Sequence, residues 1–270
     1  MIRSRFLAVI GILAILLSGG TPAIAAPADT VRVTGQVASP AEYAAAELAG
    51  ASLYDVAVRA APVLPPGHNT ALRVLVRVTG RHGQATTFAL GELDPAFGNH
   101  LATFTPVRGR IALAVPGDRN PGRGVPDVRT IGVTVSAAGP GQVAAGAVQV
   151  VTAHRTVTVP AARLACLPAR TVEVTFQSGT GPQTHTETGP PLAAVLLAAG
   201  VWPATDLPVV AVGEDGYGAA VTLAEARVGG RPLLLSTMED GVPLARPRLV
   251  PDGDVKGGRY VSGVVTLAVG

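Results

Sequence analysis

One cysteine, five histidines and a few spaced carboxylates are what this sequence offers for covalent or metal chemistry. The histidines, at 68, 82, 100, 154 and 185, show neither HExxH nor H-x-H spacing, and Cys166 alone cannot build a Cys/His zinc cluster. Cys166 has no partner for an intrachain disulfide. Its apolar setting, Leu164-Ala-Cys-Leu-Pro168, predicts a small buried hydrophobe rather than a reactive thiol. No G-x-S-x-G elbow is present, and Lys256 is followed by Gly257 rather than Ser or Thr, which excludes a Walker loop. Gly216-Tyr-Gly218 lacks the third glycine and the following helix of a dinucleotide fingerprint, so it predicts a hairpin turn. Asp252-Gly-Asp254 opens like a calcium loop. Lys256 stands where the third ligand belongs, and Gly263 replaces the bidentate Glu, so the segment reads as a polar turn.

The elements that would position such residues are mostly strands. Short Val-rich runs such as Val31–Thr34, Leu72–Val78, Ile111–Val115 and Ile131–Val135 lie between Gly and Pro clusters. Two segments predict amphipathic helices, Leu53–Ala61 after the capping Ser52 and Leu192–Gly200 after Pro190-Pro191.

The chain also repeats itself. Within Val74–Leu93 and Val209–Ala226, Gly83 matches Gly216, Leu90 matches Leu223 and Glu92 matches Glu225 with no gap between the matches. Downstream, Arg123 falls on Arg259 and Val128 on Val264. A period of this size predicts a duplicated domain, because solenoid repeats are much shorter. Residues 136–146 make a Gly/Ala/Pro-rich linker. The predicted hairpin over 171–188 has no counterpart in the first half, where Leu48 is followed almost at once by Ser52 and its helix.

Arg3 and Arg5, an apolar run from Phe6 to Leu17, and Ala23-Ile-Ala25 predict a signal peptide over residues 1–25, with an uncleaved anchor as the other reading. The run is too short to span a bilayer comfortably, so no membrane span is expected after cleavage. Removing Arg3 and Arg5 takes the formal charge from +3 to +1. Scattered arginines at that net charge are no footprint for nucleic acid.

The second half, in order, carries Leu164-x-x-Leu-Pro168, Val172-Glu-Val-Thr-Phe176, Thr186-Glu-Thr-Gly189, Val212-x-x-Asp-Gly-Tyr217, Leu223-x-Glu225, Pro232-Leu-Leu-Leu235 and Gly258-Arg-Tyr-Val261. This series resembles the molybdopterin-binding domain of the sulfite-oxidase type, over about residues 156–270 and, through the repeat, more weakly over 31–135. The resemblance implies an α+β fold of two tandem lobes, β-rich with one main helix each: a truncated lobe over 26–140 and a complete one over 141–270. It also implies a cysteine thiolate on molybdenum near the end of the Val172–Phe176 strand. Ser178 holds that place, and its hydroxyl is a poor substitute. A one-strand shift would put Cys166 there instead.

The candidate cofactor-binding residues are therefore Ser178, Asp215 and Tyr217, in a cleft near the Gln177–Pro182 loop and the Asp215 turn. Arg227, Arg231, Arg246, Arg248, Lys256 and Arg259, the cations a pterin phosphate would need, are expected to be surface residues. The resulting expectation is a secreted, molybdopterin-oxidoreductase-like protein that lacks its metal ligand, with a small-molecule or protein partner. Two alternatives stand beside it. One is a working extracytoplasmic molybdenum enzyme completed by Ser178 or solvent. The other is a binding module, since Val33-Thr-Gly-Gln-Val37-x-x-Pro40 followed by Leu53-x-x-Val56 is similar to the opening of secreted soluble-ligand-binding β-grasp domains.

Overall fold

A computed structural model describes residues 29–120 and 122–270; the expected signal peptide lies outside the described residues. The first half runs β1 (Thr30–Gly35), β2 (Ala41–Ala44), α1 (Ala45–Leu48), α2 (Leu53–Arg59), β3 (Val74–Gly80), β4 (Ala85–Ala89), α3 (Leu90–Leu93), β5 (Thr103–Val107), β6 (Arg110–Ala114) and β7 (Val128–Val135). The second runs β8 (Val148–Val151), β9 (Thr156–Val159), α4 (Ala161–Ala165), β10 (Arg170–Ser178), β11 (Gly181–Gly189), α5 (Leu192–Ala198), β12 (Pro208–Gly213), β13 (Gly218–Thr222), α6 (Leu223–Arg227), β14 (Leu233–Glu239), β15 (Val242–Pro251) and β16 (Val264–Val269).

Two five-stranded sheets carry the fold, ordered β2-β1-β7-β3-β4 and β9-β8-β16-β12-β13. In each, the opening strand pairs in parallel with the closing one, β1 with β7 and β8 with β16, and the remaining pairings are antiparallel. The alternation of β3 shows why these strands form. Val74, Val76 and Val78 are fully buried while Arg77 between them faces out. One helix covers each sheet. On α2, Ser52 accepts a hydrogen bond from the Asp55 amide at 3.0 Å, and Leu53, Val56 and Ala57 face inward. On α5 the buried set is Leu192, Val195 and Leu196.

The aligned glycines sit at the same place in the two sheets. Gly83 and Gly216 both adopt φ +82°, the left-handed region a tight hairpin needs. In each sheet the ladder to the closing strand also shifts register at the strand end, at Thr79/Gly80 and at Val212/Gly213.

The halves differ where β10 and β11 form a hairpin, paired to β14 and β15 in a four-stranded sheet. The first half's β5–β6 pair stands in the place of β14–β15, and between α1 and α2 it has no hairpin corresponding to β10–β11. Among the described residues no helix is long and apolar enough to cross a membrane.

Candidate functional site

Ser178 ends β10, and its hydroxyl is spent on its own turn. It donates to the Gly181 carbonyl at 2.9 Å, lies 3.0 Å from Thr180 Oγ1, and accepts from the Thr180 amide at 3.2 Å. The neighbouring Gln177 amide donates to the Val255 carbonyl at 3.0 Å. Cys166, expected to be buried, is exposed. α4 is only five residues long and buries Leu164 alone, which leaves the sulfur at its C-terminal cap facing water. The donors at Ser178 are hydroxyls and carbonyls, and the thiol lies on another segment. These residues do not fit a molybdenum ligand set, which calls for a soft anionic donor.

Asp215 and Tyr217 are held together in the β12–β13 turn. The Tyr217 amide donates to Asp215 Oδ1 at 2.9 Å and closes the β12–β13 turn. The Tyr217 hydroxyl donates to the Gly258 carbonyl at 2.5 Å and accepts from Asn69 Nδ2 at 3.4 Å. Burial pushes the phenol pKa up. Arg73 reaches over from the first half, donating to the Gly216 carbonyl and, at 2.7 Å, to that of Ala138.

Around these residues opens a cleft of about 690 Å3, walled by Pro65–His68, Thr70 and Arg73, by Ala137–Gly139, and by Asp215–Gly218. The expected cleft against the Gln177–Pro182 loop is thus corrected. That hairpin tip does not line it, and the facing wall comes from the first half, whose contribution a reading confined to the second half could not supply.

Sequence reasoning also misplaced Arg259. Expected at the surface, it is completely buried, as is Arg123. Arg259 donates through Nε and Nη2 to the two carboxylate oxygens of Asp254, at 2.8 and 2.5 Å, and through Nη1 to Glu225 at 2.8 Å. Arg123 repeats this with Asp118, at 3.1 and 2.6 Å, and with Glu92 at 2.5 Å. His100 Nε2 adds a contact 3.1 Å from Asp118. Asp254 is therefore a buried ion-pair partner, not part of a merely polar turn. Arg248 is also largely covered, reaching Glu187 at 2.8 Å and Glu239. The missed signal was present in the sequence: each arginine follows its aspartate by five residues, and each glutamate occupies a matched position.

The two clusters meet where the halves join. A Cβ on Gly91 of α3 would come within 2.8 Å of the Arg259 Cδ, and one on Gly229 within 3.2 Å of an Arg123 nitrogen. Glu92 is pushed up to about 8 by burial and by the nearby Glu225 charge, against the pull of Arg123 and Arg259. Asp254 is raised by burial. Burial opposes ionisation of Asp118 too, yet its hydrogen bonds with His100 and Arg123 hold it below the usual range. Each guanidinium is satisfied within its own half, Arg123 by Glu92 and Asp118 and Arg259 by Glu225 and Asp254, so the two clusters lie side by side as closed ion-pair sets and offer no place for a substrate.

No protein-family model and no curated protein matches the chain. Among solved structures, the chain is similar to the sulfane dehydrogenase SoxCD from Paracoccus pantotrophus, at 16% identity and a TM-score of 0.39, over 46% of this chain and 38% of that one. The chain thus aligns with well under half the length of that structure.

Proposed function

We propose that this chain is an exported, two-lobed binding protein with no redox centre, and that the cleft between its halves holds a small zwitterionic solute such as an amino acid or short peptide. Two copies of one ancestral unit make up the chain, the second keeping a hairpin that the first lacks. Each five-stranded mixed sheet, with its parallel central pair and single covering helix, has the β-grasp arrangement of ligand-binding domains. The resemblance to molybdopterin-binding domains then reflects descent without the metal ligand, in keeping with the Ser178 hydroxyl being turned back into its own hairpin.

The observation that carries the reading is the cleft itself. Asp215 lines one wall of it, and Arg73, which holds the Gly216 and Ala138 carbonyls, lines the other together with His68. A carboxylate suits an ammonium group, and a guanidinium suits a carboxylate.

Amide NMR with a dipeptide panel tests this directly. Shifts confined to Gly67, Gly139, Gly216 and Gly218, and abolished by Asp215→Asn, are the expected result. An unchanged spectrum with every dipeptide at about 10 mM, a concentration that would reveal even millimolar binding, overturns it. Export is checked by intact mass, which should place the mature N-terminus at Ala26.

A further inference from the structure

A second concavity opens beside α6. Arg119 from the loop after β6, Arg170 at the start of β10 and Arg227 at the end of α6 all line a cavity of about 190 Å3. Its floor is apolar, formed by Pro191, Ala193, Leu223, Ala226 and Leu233. Among the described residues none of the three guanidiniums has a carboxylate within ion-pair distance. By contrast Arg32, Arg81, Arg110, Arg129, Arg246 and Arg248 all do.

The backbone brings Arg119 to this cavity. The amides of Arg119 and Asn120 donate to the Val228 carbonyl, at 3.0 and 3.3 Å, and so tie the first-half loop to the end of α6. The Arg119 side chain lies across Gly230, where a Cβ would stand 2.2 Å from its Cδ. Gly230 has φ +72°, a conformation that disfavours any larger residue there. Asp252 is near enough to feel Arg119 and Arg231, but it does not line the cavity.

Three like charges gathered over an apolar floor repel one another, and a bound anion would relieve that repulsion. Guanidinium groups hold carboxylate and phosphate oxygens through paired N–H donors, while an apolar floor favours a ligand with a hydrocarbon body. We propose that this cavity binds a small organic anion, with its carboxylate or phosphate among Arg119, Arg170 and Arg227 and its apolar body against Leu223 and Leu233. The site is separate from the Asp215 cleft, so the two proposals can fail independently.

Titration calorimetry at low salt, with phenyl phosphate, benzoate and inorganic phosphate as probes, tests it. One-to-one binding of an aromatic probe is expected, with inorganic phosphate at least about tenfold weaker for want of apolar contact. Arg170→Ala and Arg227→Ala should each weaken the aromatic probe about tenfold, the scale of one charge-assisted hydrogen-bonded contact. Both side chains are exposed, so thermal melts should show these variants folded. Ala226→Trp, which fills the floor, should remove the preference for the aromatic probe, and Asp215→Asn should leave it intact. Absence of binding by both aromatic probes at about 10 mM, equal affinity for inorganic phosphate, or affinity unchanged in folded Arg227→Ala would each overturn the proposal.

Discussion

Arg123 Nη1 donates to Glu92 Oε1 across 2.5 Å, and both side chains are shut away from water. Removing Arg123 leaves the buried Asp118 carboxylate uncompensated and Glu92 without its donor. Arg123→Met should therefore cost about 3–5 kcal/mol, read from the urea midpoint at constant slope. Arg259→Met should cost a similar amount, because Asp254 and Glu225 are abandoned in the same way. A loss below about 1 kcal/mol, the scale of an exposed pair, would mean that these buried pairs hold the fold no better than surface ones.

Stability should fall as pH rises from about 5 to 8. The folded-state pKa of Glu92 stands at about 8, above its unfolded value of 4.5. Through that window the folded chain keeps a proton that the unfolded chain has released. Stability is then fully present below 4.5 and lost as pH climbs through 8. The slope contributed by one such group is at most about 1.4 kcal/mol per pH unit. Asp254 acts with the same sign, whereas Asp118, being depressed, loses its contribution only at more acidic pH. Denaturant melts at pH 5, 6.5 and 8 should show the decline, and Glu92→Gln should flatten it.

Gly91→Ala should destabilise the protein by about 1–3 kcal/mol, the usual cost of overpacking. Its new methyl would sit 2.8 Å from both the Arg259 Cδ and the Leu72 Cδ2, neither free to swing away. Gly83→Ala is the control for a different cause. Nothing lies within 4 Å of its added carbon, and any loss comes from φ +82° alone. Thermal melts of the two variants separate crowding from backbone strain.

Native protein should consume one equivalent of a thiol reagent without denaturant, because Cys166 is exposed and is the single cysteine. Cys166→Ser should move stability by less than about 0.5 kcal/mol, as exposed positions do. A thiol that reacts only after unfolding would put the side chain back in the core.

Much of the framework was legible in the sequence because strand burial writes itself as alternation. Val74, Val76 and Val78 spell one buried face, and the glycines at 83 and 216 mark the turns that sterics demand. What escaped the reading was decided by tertiary contact. Arginines are seldom fully buried, so Arg259 reads like Arg227, which faces water, unless the aspartate five residues before it and its match at Asp118 and Arg123 are weighed together with the distant Glu225. Asp215 and Tyr217 were recognisable as a turn. The opposite wall of their cleft comes from Arg73, more than a hundred residues upstream. The Ser178 hydroxyl takes amide and carbonyl partners two and three residues away, a local turn arrangement that only the folded chain displays.

The parallel pairing of β1 with β7 joins Arg32 to Thr130, and that of β8 with β16 joins Gln149 to Thr266. Each sheet is therefore completed by its last-made strand, across a loop of roughly a hundred residues. Closing such loops costs entropy before contacts repay it, so folding should be slow for a chain of this size. During synthesis β1 must wait for β7, with its edge open to wrong partners. A chain released in full before it folds meets both closing strands at once and escapes that wait.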